Sequence, residues 1–310
     1  MHRFTLRQLE YFVAVGETES IARAARTLRV TSPSISAAIS QLEQAFGVQL
    51  FVRRHAQGLS LTPGGRRMME RARGLLREAG ALEDAASEVA GSTRGPLAIG
   101  CLVTFAQLIL PAMRRTFEAR HSGVRVTQHE LDQAGIIDGL RRSRVDVALT
   151  YDLDVPTDLR FTGLALLRPL ALMAPGHPLA GTGAVNVNAL RAYPMVLLDL
   201  PLSASYFLGL FDDGPTPPIA ERTRDMAVMR SMVANGFGFS IVNLRPPSDA
   251  APDGLPVRCI PIDGPVRALR MGLLSTADAG RPNVVRAFAE HAADTVRSGA
   301  LKAFGGEALL

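Results

Sequence analysis

The chain has 310 residues, 47% of them hydrophobic and 20% charged, with a formal net charge of +5. That length suits two or three domains with a large core, and no apolar run approaches the roughly eighteen residues that a membrane helix needs. No signal peptide is read at the start, and Cys101 and Cys259 fit no metal-ligand spacing, so a cytoplasmic chain without metal or cofactor is expected.

The charge is unevenly spread. Residues 1–94 hold 13 Arg against 9 acidic residues, whereas residues 95–310 hold 21 basic against 20 acidic. The excess on the first part is the footprint of a nucleic-acid partner.

Residues 20–43, SIARAARTLRVTSPSISAAISQLE, are the densest in information. An Ala-rich helical pattern ends at Leu28, a short turn follows, and a second helix opens on Thr31, Ser32, Ser34 and Ser36. Small residues let a helix N-terminus approach a phosphate backbone, where exposed N–H groups and hydroxyls bind phosphate oxygens. Pro33 suits a first helical turn, where its missing N–H costs nothing. Ala24, Leu28, Ile35, Ile39 and Leu42 are expected to pack the two helices together. This is a helix-turn-helix pattern, which lays its second helix in the DNA major groove. Gln41 lies further along that helix and is the candidate base reader. Next, LFVRR (50–54) and LSLT (59–62) read as short strands around a turn, a wing in which Arg53 and Arg54 face phosphate or the minor groove.

Thr62-Pro63-Gly64-Gly65 punctuates the chain, and a long helix is predicted to about Ala90. Met68, Ala72, Leu75, Ala79, Leu82, Ala86 and Val89 recur at alternating spacings of four and three, the pattern of a coiled-coil seam. With these residues at a and d, Arg71 and Glu78 fall at g and Glu83 at e. An antiparallel pair can bring Arg71 near Glu78 of its partner, whereas a parallel pair would set Glu78 against Glu83.

Gly91-Ser92-Thr93-Arg94-Gly95-Pro96 reads as a hinge. Beyond it, apolar strands alternate with helical patterns, the mark of an α/β domain. LAIGC (97–101) is a strand, 105–120 a helix, VRVTQHE (124–130) a strand, 134–143 a helix and VDVALTY (145–151) a strand. FTGLALLRPLALMA (161–174) reads as one long extended stretch, followed by MVLLD (195–199), a helix over 225–235, FSIVN (239–243), VRCIPI (257–262), LRMGLLS (269–275) and a last helix from about Asn283 to Val296.

Residues 4–64 resemble the N-terminal head of a LysR-type transcriptional regulator. The matching elements are LRQLEYFVAV (6–15), Ser20-Ile21-x-x-Ala24-Ala25-x-x-Leu28, SPSIS…I..LE (32–43), FGVQLFVRR (46–54) and LSLTPGG (59–65), in order and at the family's spacing. The family usually has Gln at the position of Ser32 and often Arg at that of Ala37, so two long base-reading side chains are absent here. The resemblance implies an α/β fold with an all-α head. A winged helix-turn-helix domain (1–64) is followed by a coiled-coil linker helix (65–90), a hinge (91–96) and a two-lobed, periplasmic-binding-protein-like effector domain (97–300). Lobe I would comprise about 97–165 and 270–300, lobe II about 166–269, with crossovers near 164–170 and 263–269 and a tail at 301–310.

Such a fold binds a ligand between its lobes, at strand ends and helix N-termini. The candidates there are Thr104, Thr150, Tyr151, Ser203, Ser205, Arg224, Asp225 and Asn243, a set that suits a small effector bearing a carboxylate or amide. The expected protein is a homotetramer or dimer that binds inverted repeats in double-stranded DNA, with RNA polymerase as a further partner. The alternative is a thiol-based redox sensor using Cys101 or Cys259. Enzyme readings find no support, since GxSxG, HExxH, GxxxxGK[ST] and a full GxGxxG are all missing.

Overall fold

A computed structural model describes residues 3–54, 58–89, 93–276, 283–299 and 305–309, without the side chains of 53, 54, 58, 81 and 83–89. The chain divides into two units, essentially 1–92 and 93–310.

In the first unit, α1 (Leu6–Thr18) starts on a capping box between Thr5 and Gln8, α2 (Ile21–Leu28) is capped by Ser20, and α3 (Ser32–Phe46) is capped by Thr31. The turn between α2 and α3 is tight because Arg29 adopts a left-handed conformation, φ 55°. Leu9, Phe12, Val15, Ala24, Ile35, Ile39 and Leu42 are buried together, and Leu28 packs against them. Strands β1 (Phe51–Arg54) and β2 (Gly58–Leu61) pair antiparallel. The expected turn at 55–57 lies outside the described residues.

Helix α4 (Pro63–Val89) begins at a crowded corner. The Thr62 hydroxyl donates to Gln49 O at 2.7 Å and accepts from Gly65 N–H at 2.7 Å. A Cβ on Gly65 would stand 2.1 Å from Leu50 O, so only glycine fits there. Two of the expected seam residues belong to the head instead. Ala72 is buried in its core and Met68 packs against it, beside Met69 and Leu76. Leu75 and Leu82 face outward, 43% and 74% exposed. One helix therefore carries two apolar surfaces. The side chains of Ala86 and Val89 lie outside the described residues.

The second unit is built on two sheets. β3 (Arg94–Leu102), β4 (Gly123–Leu131), β5 (Val147–Tyr151), β6 (Leu159–Leu167), β13 (Leu269–Thr276) and β14 (Gly306–Ala308) form one, in the order β14-β6-β13-β5-β3-β4. Helices α5 (Val103–Ala106), α6 (Leu110–Arg120), α7 (Gln133–Arg141) and α11 (Asn283–Arg297) accompany it. β7 (Leu170–Met173), β8 (Val185–Asn186), β11 (Ser240–Val242) and β12 (Arg258–Asp263) form the second, in the order β11-β7-β12-β8. Strands β9 (Met195–Leu198) and β10 (Ile219–Thr223) extend it through a bridge between Met195 and Phe239. Gly238 permits that bridge, because its φ is 148° and a Cβ would lie 2.1 Å from Pro194 O. Helices α8 (Val187–Leu190), α9 (Ser203–Gly209) and α10 (Met226–Ala234) complete this lobe.

Four details differ from the sequence expectations. The stretch 161–174 is two strands in different sheets, because Pro169 cannot donate to a ladder and the chain changes lobe at Arg168-Pro169. The helix expected over 105–120 breaks into α5 and α6, with Pro111 opening the second. Arg94-Gly95-Pro96 of the expected hinge are already paired with Gly123–Arg125 in β3–β4. Residues 306–308 of the expected tail form an edge strand on β6. The second crossover runs over 264–268, and Ile262 N–H donates to Pro169 O at 3.4 Å, so the two crossovers lie side by side.

Candidate functional site

The first unit presents one face of α3 to solvent. Ile35, Ala38, Ile39 and Leu42 point into the core, which leaves Thr31, Pro33, Ser34, Ser36, Ala37, Ser40, Gln41 and Gln44 exposed. Thr31 Oγ1 accepts from Ser34 N–H at 3.3 Å and lies 2.8 Å from the Ser34 hydroxyl, while Ser32 is half-buried. Ser40 and Gln44 were missed by sequence reading, although their three-residue spacing from Ala37 and Gln41 respectively places them on the same face. The Glu43 carboxylate accepts from Leu50 N–H at 2.7 Å and Phe51 N–H at 3.3 Å, which pins the wing to α3. Arg53 and Arg54 stand in β1 opposite Leu59 and Gly58, and their side chains lie outside the described residues. This surface is small, polar and presented on a helix supported from behind, as major-groove entry demands.

The second unit holds a cleft of about 600 Å³ between its lobes. Leu153 and Asp154 line it from the end of β5, Leu202, Ser205, Tyr206 and Gly209 from α9, Asp212 and Asp213 just beyond, and Pro265–Arg267 from the second crossover. Tyr206, which the sequence reading did not single out, is the pivot. Its hydroxyl donates to Arg267 O at 2.8 Å and accepts from Asn243 Nδ2 at 2.9 Å. Burial pushes its phenol up to about 12, with the Asn243 hydrogen bond working the other way. Asn243 Nδ2 also reaches Leu167 O at 3.4 Å, while Asn243 Oδ1 is buried without a partner.

Tyr151 lies behind this pair. Its ring packs on Phe105 at 4.6 Å, and burial, with Tyr206 nearby, raises its phenol far above the usual range. The Thr104 hydroxyl lies beside it, buried and without a well-formed hydrogen bond. Thr104 and Tyr151 of lobe I therefore approach Tyr206 and Asn243 of lobe II, but of these four only Tyr206 lines the cleft, and the other three lie behind it.

The other candidates do not join them. Thr150 is fully buried and its hydroxyl donates to Gln133 Oε1, whose Nε2 donates to Leu153 O at 2.9 Å. That pair satisfies itself inside lobe I. Ser203 is buried at the start of α9, and Ser205 is exposed in the cleft. Arg224 and Asp225 are exposed and do not line the cleft. Asp225 Oδ1 is occupied in capping α10, accepting from Ala227 N–H at 2.7 Å and Val228 N–H at 3.2 Å. Cys101 is fully buried in β3, where burial raises its thiol well above the normal range. Cys259 in β12 is pushed up by burial to about 11.

Comparisons with known proteins match both units. Residues 6–66 match the model of the bacterial regulatory helix-turn-helix protein, lysR family, and residues 90–297 that of the LysR substrate binding domain. The SDS degradation transcriptional activation protein of Pseudomonas sp. (strain ATCC 19151) is 32% identical over 246 residues, 77% of this chain and 79% of that one. The transcriptional activator protein LysR of Escherichia coli (strain K12) is 28% identical over 293 residues, 94% of this chain and 93% of that one. The crystal structure of HinK, a LysR family transcriptional regulator from Pseudomonas aeruginosa, is similar with a TM-score of 0.63 and 35% identity, covering 94% of this chain and 99% of that one. With an exposed recognition-helix face in one unit and a two-lobed, cleft-bearing domain in the other, both matched by the family's models, the chain belongs to the LysR family of transcriptional regulators.

Proposed function

We propose that this chain binds inverted-repeat operators as a dimer within a homotetramer, and that a small polar effector in the interlobe cleft controls how it does so. Leu75 and Leu82 supply the apolar stripe on which two α4 helices pair antiparallel. Thr31, Ser32, Pro33, Ser34, Ser36 and Gln41 meet DNA at α3, and Arg53 and Arg54 hold phosphate at the wing. Effector binding alters lobe closure and hence subunit arrangement, DNA bending and contact with RNA polymerase in the cytoplasm.

The observation that carries the effector reading is the pair of buried polar atoms without a well-formed hydrogen bond, Thr104 Oγ1 and Asn243 Oδ1, one from each lobe, behind the cleft-lining Tyr206. A buried polar atom without a partner is costly, and a ligand that supplies the missing bonds offsets that cost. Asp154, Asp212 and Asp213 line the cleft, with Asp213 paired to Arg191. With Arg267 also in the lining, that mix of charges suits a zwitterion or an amide as well as a carboxylate. A thermal-shift screen of small acids, amides and amino acids identifies the ligand, and calorimetry then tests its site. Thr104→Val should weaken binding by about 0.5–3 kcal/mol. Unchanged affinity in both Thr104→Val and Asn243→Ala would move the effector elsewhere. The thiol-sensing alternative has less support. Both thiols are held protonated by burial, and Cys101 and Cys259 stand in sheets of different lobes.

A further inference from the structure

The capping box of α1 reaches further than its own helix. Thr5 N–H donates to Gln8 Oε1 at 2.8 Å, and the Thr5 hydroxyl lies 3.2 Å from the same oxygen. A backbone N–H can only donate, so the Gln8 atom facing it must be oxygen. Its amide nitrogen therefore points away from Thr5, and it donates to Gln41 Oε1 at 2.7 Å. An NH2 group can only donate, so the Gln41 atom that receives it must also be oxygen. The two ends of a glutamine amide are otherwise interchangeable in shape. Here one backbone N–H at the start of α1 orients both amides in turn. Gln41 is exposed on α3, and the group it has free is its NH2, a pure donor.

We propose that Gln8 is a positioning residue that fixes Gln41 as a hydrogen-bond donor in the major groove. At one position of each half-site the protein then selects guanine or thymine on the contacted strand, which present acceptors, over cytosine, which presents a donor. Adenine is read by a glutamine that uses both ends, and with the oxygen engaged by Gln8 that mode is weakened. The proposal rests on the reading that α3 enters the major groove. The expected discrimination is about tenfold or more in affinity at that position.

Gln8→Glu tests the polarity directly. Glutamate at this position of a capping box keeps the bond to Thr5 N–H, so α1 retains its start. Its other oxygen can only accept, so Gln41 must turn to donate its NH2 inward and present its oxygen to the DNA. Full-length wild type, Gln8→Glu and Gln41→Ala are used to select bound duplexes from a random DNA library, with melting curves as the check on folding. Wild type should select guanine or thymine at one half-site position, Gln41→Ala should lose that preference, and Gln8→Glu should change it to cytosine or adenine. The added charge of Gln8→Glu weakens all sequences alike and leaves this pattern readable. If that variant binds too weakly for selection, Gln41→Glu, which accepts from the unchanged Gln8, should show the same change. Identical preferences at that position in wild type and in the variants that reverse the polarity would overturn the proposal. Ser36→Glu separates the two levels, because it places a carboxylate in the middle of the exposed α3 face. If it abolishes binding while the selected preferences do not move, docking stands and the relay fails. If it binds DNA like wild type, α3 is not in the groove and both fall.

Discussion

Removing the Tyr206 hydroxyl isolates the bonds that tie α9 to the crossovers. In Tyr206→Phe two hydrogen bonds are lost, one to Arg267 O and one from Asn243 Nδ2. Their consequences are unequal. Arg267 is exposed, so its carbonyl can turn to water at little cost. Asn243 is 4% exposed, and its nitrogen would keep only the long 3.4 Å contact with Leu167 O while its oxygen stays unpartnered. An abandoned buried amide costs about 1–3 kcal/mol, against about 0.5–1.5 kcal/mol for a bond whose partner can rehydrate. Tyr206→Phe should therefore lower local stability by about 2–3 kcal/mol. Asn243→Leu removes the orphaned oxygen together with the donor, so it should cost less, and the double variant should recover about 1–2 kcal/mol relative to the sum of the singles. Native-state hydrogen exchange at the β11 amides Ser240–Val242 reads this opening locally, without assuming one transition for a two-unit chain. If the two substitutions add within about 0.5 kcal/mol, the pair does not share the energy assigned to it here.

Three further outcomes follow from the same structure. Leu75→Asp places a charge on the exposed stripe of α4 and should collapse operator affinity while the second unit melts as before; operator titration together with sedimentation decides, and unchanged binding would refute the pairing. Gly65→Ala forces a Cβ to within 2.1 Å of Leu50 O, so the head should lose about 2–4 kcal/mol in urea unfolding, and a loss under 0.5 kcal/mol would show that the corner relaxes freely. His291 is buried, with Nε2 3.1 Å from Met113 O and Nδ1 without a partner, and burial, with Arg120 and His121 adding to it, lowers its pKa below the usual 6.5. The folded state then binds fewer protons than the unfolded state, so stability should be complete above pH 6.5 and fall as the pH drops below it; His291→Gln should flatten that slope in melting curves taken across pH 5–8.

The head was legible because its signals are local. Ser20, Thr31 and Thr5 are caps that act within three residues, and the alternation of Ile35, Ile39 and Leu42 fixes which side of α3 is buried. The linker helix was only half legible. Met68, Ala72, Leu75 and Leu82 keep a single heptad phase, and nothing in a period says which residues meet the head and which meet a partner. The run 161–174 looked continuous because apolar strands of two sheets share one composition, and only Pro169 marks the change. Among the effector-site candidates, Thr150 and Asp225 were residues of the right type already engaged elsewhere, by Gln133 and by the α10 amides. Tyr206 escaped notice because a tyrosine inside an apolar helical run reads as core, and its hydroxyl gains meaning only when Asn243 and Arg267 arrive from 37 and 61 residues away.

The lobes are joined by a very short leash. Two residues, Arg168 and Pro169, separate β6 from β7, so the three steps from Leu167 to Leu170 span about 10 Å at full stretch. The returning strand is held beside it by the bond from Ile262 N–H to Pro169 O. Parting the lobes far beyond that reach would strain the link, whereas tilting them about the paired crossovers would not. An effector bound between the lobes, as proposed above, would act by setting the angle between them. Its output would be a rotation, and Tyr206 and Asn243, bonded to Arg267 O and Leu167 O beside the crossovers, sit where that movement is smallest.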